Sequence, residues 1–127
     1  MKVYTKIGDG GHTQFFGCGL VRKDDPRIET LGTFDELNSI IGLAISFSED
    51  SHVTEKLTNI QHTLFQLGAD LIGSALKPDS LPRIRQEHVD ELEQEIDLLH
   101  DRLGIPTTFI LPGGTKESSL LHLCRTI

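Results

Sequence analysis

Four stretches of the chain repeat their apolar residues every three or four positions, the spacing that gathers them on one face of an α-helix. The first runs through Leu31, Phe34, Leu37, Ile41, Ala44 and Ile45. Pro26 precedes it and suits a first helical turn, which makes Asp25 the expected N-cap. Gly32 and Gly42 lie inside this helix and cost it roughly 1 kcal/mol each relative to Ala. Either another helix or a ligand comes close at those points, or they are tolerated surface glycines.

A polar break at Ser48–Ser51 is followed by Val53, Leu57, Ile60, Leu64, Leu67, Leu71 and Ile72 at helical spacing. The loop Lys77–Pro82, with its two prolines, ends that second helix. The third, Gln86–Leu103, carries Val89, Leu92, Ile96, Leu99 and Leu103 on one face and Glu and Asp on the other. Gly104 is a suitable residue just past its end, and Pro106 follows. Phe109-Ile110-Leu111 is a short apolar segment closed by Pro112-Gly113-Gly114. Thr115 is expected to cap a fourth helix, with Glu117 in its first turn. That helix runs through Leu120, Leu121, Leu123, Cys124 and Ile127 and meets no stop signal. The pattern predicts that the chain is a partial version of something longer.

Four amphipathic patterns with short or medium connections predict an all-α fold, an antiparallel four- or five-helix bundle in a ferritin-like up-down arrangement. Residues 1–127 read as one domain, with an extended Gly-rich N-terminal segment over 1–27 and the bundle over 28–127. No segment predicts a sheet. Lys2–Ile7 alternates only weakly, enough for a short extended piece, and turn chemistry dominates from there to Gly19.

The N-terminal stretch Tyr4–Gly17 concentrates the unusual residues: Gly8, Gly10 and Gly11, then Lys6, Asp9, Thr5 and Thr13, closed by Phe15, Phe16 and Gly17. Glycine reaches positive φ and lets a ligand approach the backbone. Successive N–H groups in such a turn form an anion-binding nest, and Lys6 adds a point charge. One reading is a loop that wraps a polyphosphate; the other is a hairpin or surface loop. It is neither a Walker A loop, since G-x-x-x-x-G-K-S/T is absent, nor a dinucleotide fingerprint, since G-x-G-x-x-G is absent.

Composition narrows the partners. The chain has 127 residues, 37% hydrophobic and 24% charged, with a formal net charge of −7. That acidic balance argues against nucleic acid, whose binders are basic. A phosphate ligand must then be held by a local basic cluster working against the global field. Cys18 and Cys124 form no C-x-x-C and read as reduced and intracellular. No membrane-length apolar run and no signal peptide are seen, so the expectation is a cytoplasmic protein with no membrane partner.

Common catalytic constellations fail. A di-iron bundle needs a pair of inward-facing Glu-x-x-His motifs, and the one occurrence, Glu49-x-x-His52, falls in the polar break. The six histidines share no metal-ligand spacing, and His88 with Glu91 reads as a solvated helix face, so no metal site is expected. Nothing supplies a nucleophile elbow. Asp35 borders the apolar stripe of the first helix. It is either an exposed charge or one half of an ion pair with an arginine on another helix or subunit, for which Arg125 is the candidate.

Five motifs together resemble one family. Thr5-Lys6-Ile7-Gly8-Asp9-Gly10-Gly11-His12-Thr13 resembles the T-K-T-G-D-x-G-x-T loop of PduO-type ATP:cob(I)alamin adenosyltransferases. Lys23-Asp24-Asp25-Pro26-Arg27 matches that family's K-D/N-D-P-R, and Gly32-Thr33-Phe34-Asp35-Glu36-Leu37-Asn38-Ser39 its G-x-x-D-E-L-N-S. Phe109–Thr115 matches F-I-L-P-G-G-T, and Leu121–Thr126 matches L-H-x-A-R-T. They occur in the family's order and cover most of the chain.

The resemblance implies a helical bundle assembled as a homotrimer with active sites between subunits. It implies transfer of the 5′-deoxyadenosyl group from ATP to cob(I)alamin, with Mg²⁺ at the triphosphate. Carried over residue by residue, Thr5, Lys6, Gly8, Asp9, Gly11 and Thr13 would wrap the nucleotide and Lys23 would contact its phosphates. Asp35 and Arg125 would form the intersubunit pair, and Phe109 would lie against the corrin ring. Cobalt is itself the nucleophile in that reaction, which accounts for the missing Ser, Cys or His. A corrinoid reductase and a B12-dependent enzyme fit as partners. The chain departs from the family at Ile7, where a small polar residue is common, and at Cys124, where Ala is common. The family continues with an R-R-x-E-R run and two further helical stretches, whereas this chain stops at Ile127. A protein ending there is expected to show weak catalysis or none. The alternative to an enzyme is a non-catalytic bundle that binds nucleotide or corrinoid, or a structural bundle whose glycine loop is only a loop.

Overall fold

Helix α1, Pro26–Phe47, is the one the others pack on: α2, Ser51–Gly73, lies along it, and α4, Lys116–Cys124, packs on it as well. The structure, a computed structural model, describes residues 2–15, 19–73 and 83–127. Phe16, Gly17, Cys18 and the expected loop Lys77–Pro82 lie outside the described residues. The core forms where the periodic faces meet. Ile41 and Ala44 of α1 and Leu57 of α2 are buried, and Leu37, Ile45, Val53, Ile60, Leu64, Leu120, Leu121 and Cys124 close around them. The fold is the expected all-α antiparallel bundle.

The sequence signals for helix ends hold. Asp25 caps α1, accepting the Arg27 backbone N–H at 2.9 Å. Asp50 Oδ1 accepts the backbone N–H groups of His52 at 2.8 Å and Val53 at 3.3 Å at the start of α2. Helix α3, Gln86–Leu103, ends at Gly104, whose φ of 74° is one that glycine adopts without strain. Thr115 Oγ1 accepts the Ser118 N–H at 3.1 Å and opens α4.

Helix α3 is fastened to α2 by polar contacts. Lys56 pairs with Glu95, and the Gln66 amide donates to the Arg83 carbonyl and lies 3.2 Å from His88 Nε2. Asp70 accepts the Ile84 N–H and pairs with Arg83, and both hold its carboxyl below the usual range. The apolar stripe of α3 stays exposed; Val89, Leu92, Ile96, Leu99 and Leu103 are each between 42% and 78% accessible.

The expectation of no sheet is corrected at one place. Strand β1, His12–Phe15, pairs antiparallel with β2, Gly19–Arg22, setting His12 opposite Arg22 and Phe15 opposite Gly19. Each strand has four residues, too few for alternation to stand out between glycines. Phe15 anchors the hairpin: it is 3% exposed, and the Arg27 guanidinium lies 5.0 Å from its ring centroid.

Arg27 also forms a two-pronged pair with Asp25, with Nε to Oδ1 at 2.9 Å and Nη2 to Oδ2 at 2.8 Å. That pair, with the capping bond, lowers the Asp25 carboxyl from 3.8 to about 2. A carboxyl depressed by folding stabilises the native state above its unfolded value and loses that contribution as pH falls through the folded one. Stability from this cap is therefore expected to be full above pH 3.8 and to fade toward pH 2. Asp25→Asn keeps a competent cap but cannot ionise. Thermal midpoints of both proteins across this window should converge as pH drops; parallel curves would show that Asp25 is not the titrating group.

Candidate functional site

The glycine-rich stretch folds as a tight 3₁₀ turn, Ile7–Gly10, leading into the hairpin. Lys6 opens it at φ 62° and ψ 0°, the one non-glycine residue with positive φ among the described residues. A lysine there costs about 1–2 kcal/mol and persists only where its surroundings impose it. The imposing contacts are short-range. The Asp9 N–H donates to the Lys6 carbonyl at 3.2 Å, and the Gly11 N–H donates to the Gly8 carbonyl at 3.3 Å. Gly11 takes φ 78°, and its carbonyl accepts the Lys23 N–H at 2.9 Å.

That last bond decides the geometry. The hairpin carries the chain from Gly11 out and back and returns Lys23 beside the turn. Its ammonium settles over Gly8, where a β-carbon would stand only 3.1 Å from Nζ and 3.2 Å from Cε. The structure thus brings together Lys6, Gly8, Gly11 and Lys23, with Thr5, Asp9 and Thr13 on the same short segment. Among the described residues neither lysine is claimed by a carboxylate, whereas Arg22 is held by Asp24 and Arg27 by Asp25. The cluster offers two lysines with no carboxylate partner among the described residues in a chain that is acidic overall. Such a cluster suits a polyanion.

Tyr4 belongs to this cluster and was not among the expected residues. The Lys2 and Lys6 ammonium groups lie 5.7 and 5.9 Å from its ring centroid. The signal was legible: residues 2, 4 and 6 share one face of an extended segment, and a lysine–aromatic–lysine triplet at that spacing is a cation–π pattern.

The remaining expected residues sit elsewhere in the protomer. Asp35 is exposed on α1 and lines an open cleft of about 280 Å³ with Asn38, Ser39, Gln61 and Phe65. Arg125, just past α4, is exposed too, and no ion pair joins it to Asp35 among the described residues. Phe109 lies in an irregular segment and is fully exposed, with Ile110 at 60% and Leu111 at 88%. No hydrogen bond or ion pair ties any of these three to the glycine turn among the described residues. Asn38 is 8% exposed, and its Oδ1 is buried without a partner among the described residues. A buried amide oxygen left so costs about 1–3 kcal/mol.

Among the described residues no group of three or more His, Cys, Asp or Glu is placed to hold a metal ion. Cys124 packs against the core, and burial pushes its thiol up, as befits a small core residue rather than a nucleophile.

Comparison with known proteins places these features in context. The chain matches the family model for cobalamin adenosyltransferase over residues 3–127. It is 44% identical over 131 residues to the corrinoid adenosyltransferase of Bacillus subtilis, a match covering 100% of this chain and 66% of that protein. Identity to the corrinoid adenosyltransferase of Mycobacterium leprae is 36% over 132 residues, with 99% and 69% covered. A solved structure of a Phe-to-His variant PduO-type ATP:corrinoid adenosyltransferase from Lactobacillus reuteri, complexed with cobalamin and ATP, superposes with a TM-score of 0.86 at 38% identity. It covers 98% of this chain and 69% of that one. The chain spans about two thirds of the length of these relatives.

Proposed function

The chain belongs to the cobalamin adenosyltransferase family, and from that premise we propose that it transfers the 5′-deoxyadenosyl group of ATP to cob(I)alamin, giving adenosylcobalamin and triphosphate. The observation that carries this reading is the placement of Lys23 over Gly8, two positions along the chain from Lys6, with no carboxylate on either lysine among the described residues. In the reaction a cobalt electron pair forms the bond to the 5′ carbon while the bond from that carbon to the triphosphate oxygen breaks. Negative charge grows on the departing triphosphate. Lys6, Lys23 and the backbone N–H groups of the turn face that charge and stabilise it more in the transition state than before it. Thr5, Gly8, Asp9, Gly11 and Thr13 wrap the nucleotide.

Mg²⁺ enters with ATP as part of the substrate. Such an ion keeps several waters and needs one or two carboxylates beside the phosphates, and Asp9 is the carboxylate at hand. Phe109, exposed in the protomer, offers its ring to the lower face of the corrin and excludes water and an axial ligand there. Asp35 and Arg125 pair across the seam between copies of a homotrimer, so that each site draws on two subunits. The corrinoid must arrive as Co(I), which requires a low-potential one-electron donor, a corrinoid reductase, as a partner. No helix among the described residues is long and apolar enough to cross a membrane, in keeping with a cytoplasmic enzyme.

The test is an assay of the full-length protein with chemically reduced cobalamin and ATP, following cob(I)alamin absorbance and released triphosphate. Loss of absorbance with equimolar triphosphate is expected. Binding of both substrates without loss would favour a non-catalytic binding module, and no binding of either would end both readings.

A further inference from the structure

We propose that Gln61 is a positioning residue for Asp35, acting through the Asn38 carbonyl in a space that Gly42 leaves open. The inference rests on the intersubunit reading of Asp35 given above. Gln61 Nε2, on α2, donates to the backbone carbonyl of Asn38 on α1 at 2.9 Å. It can reach that carbonyl because residue 42 has no side chain: a β-carbon there would stand 3.2 Å from the same nitrogen. Gly32, the other glycine inside α1, has nothing within 4 Å of its β-carbon position. The two interior glycines thus differ, and only Gly42 makes room for a crossing side chain.

Asp35 and Asn38 are three residues apart, on one face of α1, and Asp35, Asn38, Ser39, Gln61 and Phe65 line one cleft. The Ser39 hydroxyl donates to the Asp35 carbonyl at 2.7 Å. The turn that carries Asp35 therefore receives two hydrogen bonds beyond the helix ladder, one local and one from α2. A carbonyl has the second lone pair this needs.

The clamp matters because it adds a directed bond to the α1–α2 packing beside Asp35. Ile41, Ala44 and Leu57 meet through apolar surface, whose burial is not directional, whereas a hydrogen bond weakens steeply once its angle is lost. A side-chain tip about 5–6 Å from that axis moves by about 1 Å for a turn of roughly 10°. A displacement of that size is enough to spoil a charge pair whose geometry must be met from another subunit. The Gln61 bond fixes the angle, and with it the direction in which Asp35 points.

Sedimentation equilibrium on the protein, Asp35→Asn, Gln61→Leu and the double variant tests this without either substrate. Gln61→Leu is expected to weaken self-association about tenfold when Asp35 is present and less than about twofold in the Asp35→Asn background. Equal weakening in both backgrounds, or none, overturns the clamp. Unchanged association in Asp35→Asn alone overturns the intersubunit pair and the clamp together, whatever the transfer assay shows. Gly42→Ala guards against a folding defect. Alanine favours the helix but pushes on Gln61, so its unfolding temperature should hold or rise while association falls. Association unchanged in Gly42→Ala also overturns the clamp.

Discussion

Charge reversal at one end of the Asp35–Arg125 pair should cost assembly and turnover roughly thirtyfold to a few thousandfold, and reversal at both ends should restore most of it. The expectation follows from where the two residues stand. Both are exposed in the protomer, and neither has an ion-pair partner there among the described residues. Arg125 follows α4 directly, at the end of a helix where a cation is favoured. Its planar fork can grip a carboxylate in two places. Truncating one partner of a buried intersubunit charge pair costs about 2–5 kcal/mol, mostly because the other charge is left buried and alone. At about 1.4 kcal/mol per tenfold, that gives roughly thirtyfold to a few thousandfold. Asp35→Arg and Arg125→Asp should each show it in sedimentation and in adenosyl transfer, and the double exchange should recover both. The protomer's own fold should hardly notice, since exposed substitutions stay within about 0.5 kcal/mol. Single variants that assemble and turn over normally would remove the pair from the mechanism.

The bundle was legible because its helices announce their own ends. Asp25 before Pro26, Gly104 after Leu103 and Thr115 before Lys116 each stand where the structure places a cap. Periodicity supplied the faces between them. The hairpin was legible only as one of the readings of the glycine stretch, and its strands and register were not, because the strands are short and the register depends on pairing across the turn. Gly42 was readable only as a question; its answer lies in Gln61, a polar residue on another helix that no local pattern connects to it. The site shows the same division. Residue types marked the glycine turn, but Lys23 reaches Gly8 only through the hairpin, which periodicity did not reveal. Asp35 was marked by its place at the edge of the apolar stripe, with Arg125 as the candidate partner, while Phe109 came from motif resemblance alone. Among the described residues all three are exposed and not joined to the turn, which leaves them open to a neighbouring copy, as the proposed shared site needs.

Removing the ammonium of Lys6 or Lys23 should raise the ATP requirement far more than the cobalamin requirement. A hydrogen bond to a charged group contributes about 1.5–3 kcal/mol, so Lys23→Ala should lower kcat/KM for ATP roughly tenfold to a hundredfold, split between a lower kcat and a higher KM for ATP, and move the KM for cobalamin little. Lys6 needs a second variant, because its φ of 62° mixes strain with charge. Lys6→Ala removes the cation and leaves a β-carbon in a left-handed conformation; Lys6→Gly removes the cation and relieves the strain. If charge is what the turn contributes, the two should raise the ATP requirement alike. If Lys6→Ala, which keeps the β-carbon and loses only the charge, holds near-normal affinity, the residue serves the backbone and not the phosphates. Gly8→Ala tests the partner contact, since its β-carbon would stand 3.1 Å from Lys23 Nζ and displace that flexible ammonium by a few tenths of an ångström. A modest rise in the ATP requirement in Gly8→Ala, vanishing in the Lys23→Ala background, is expected if the glycine is there to let the lysine in. Equal effects of these variants on both substrates would mean that the turn does not hold the triphosphate.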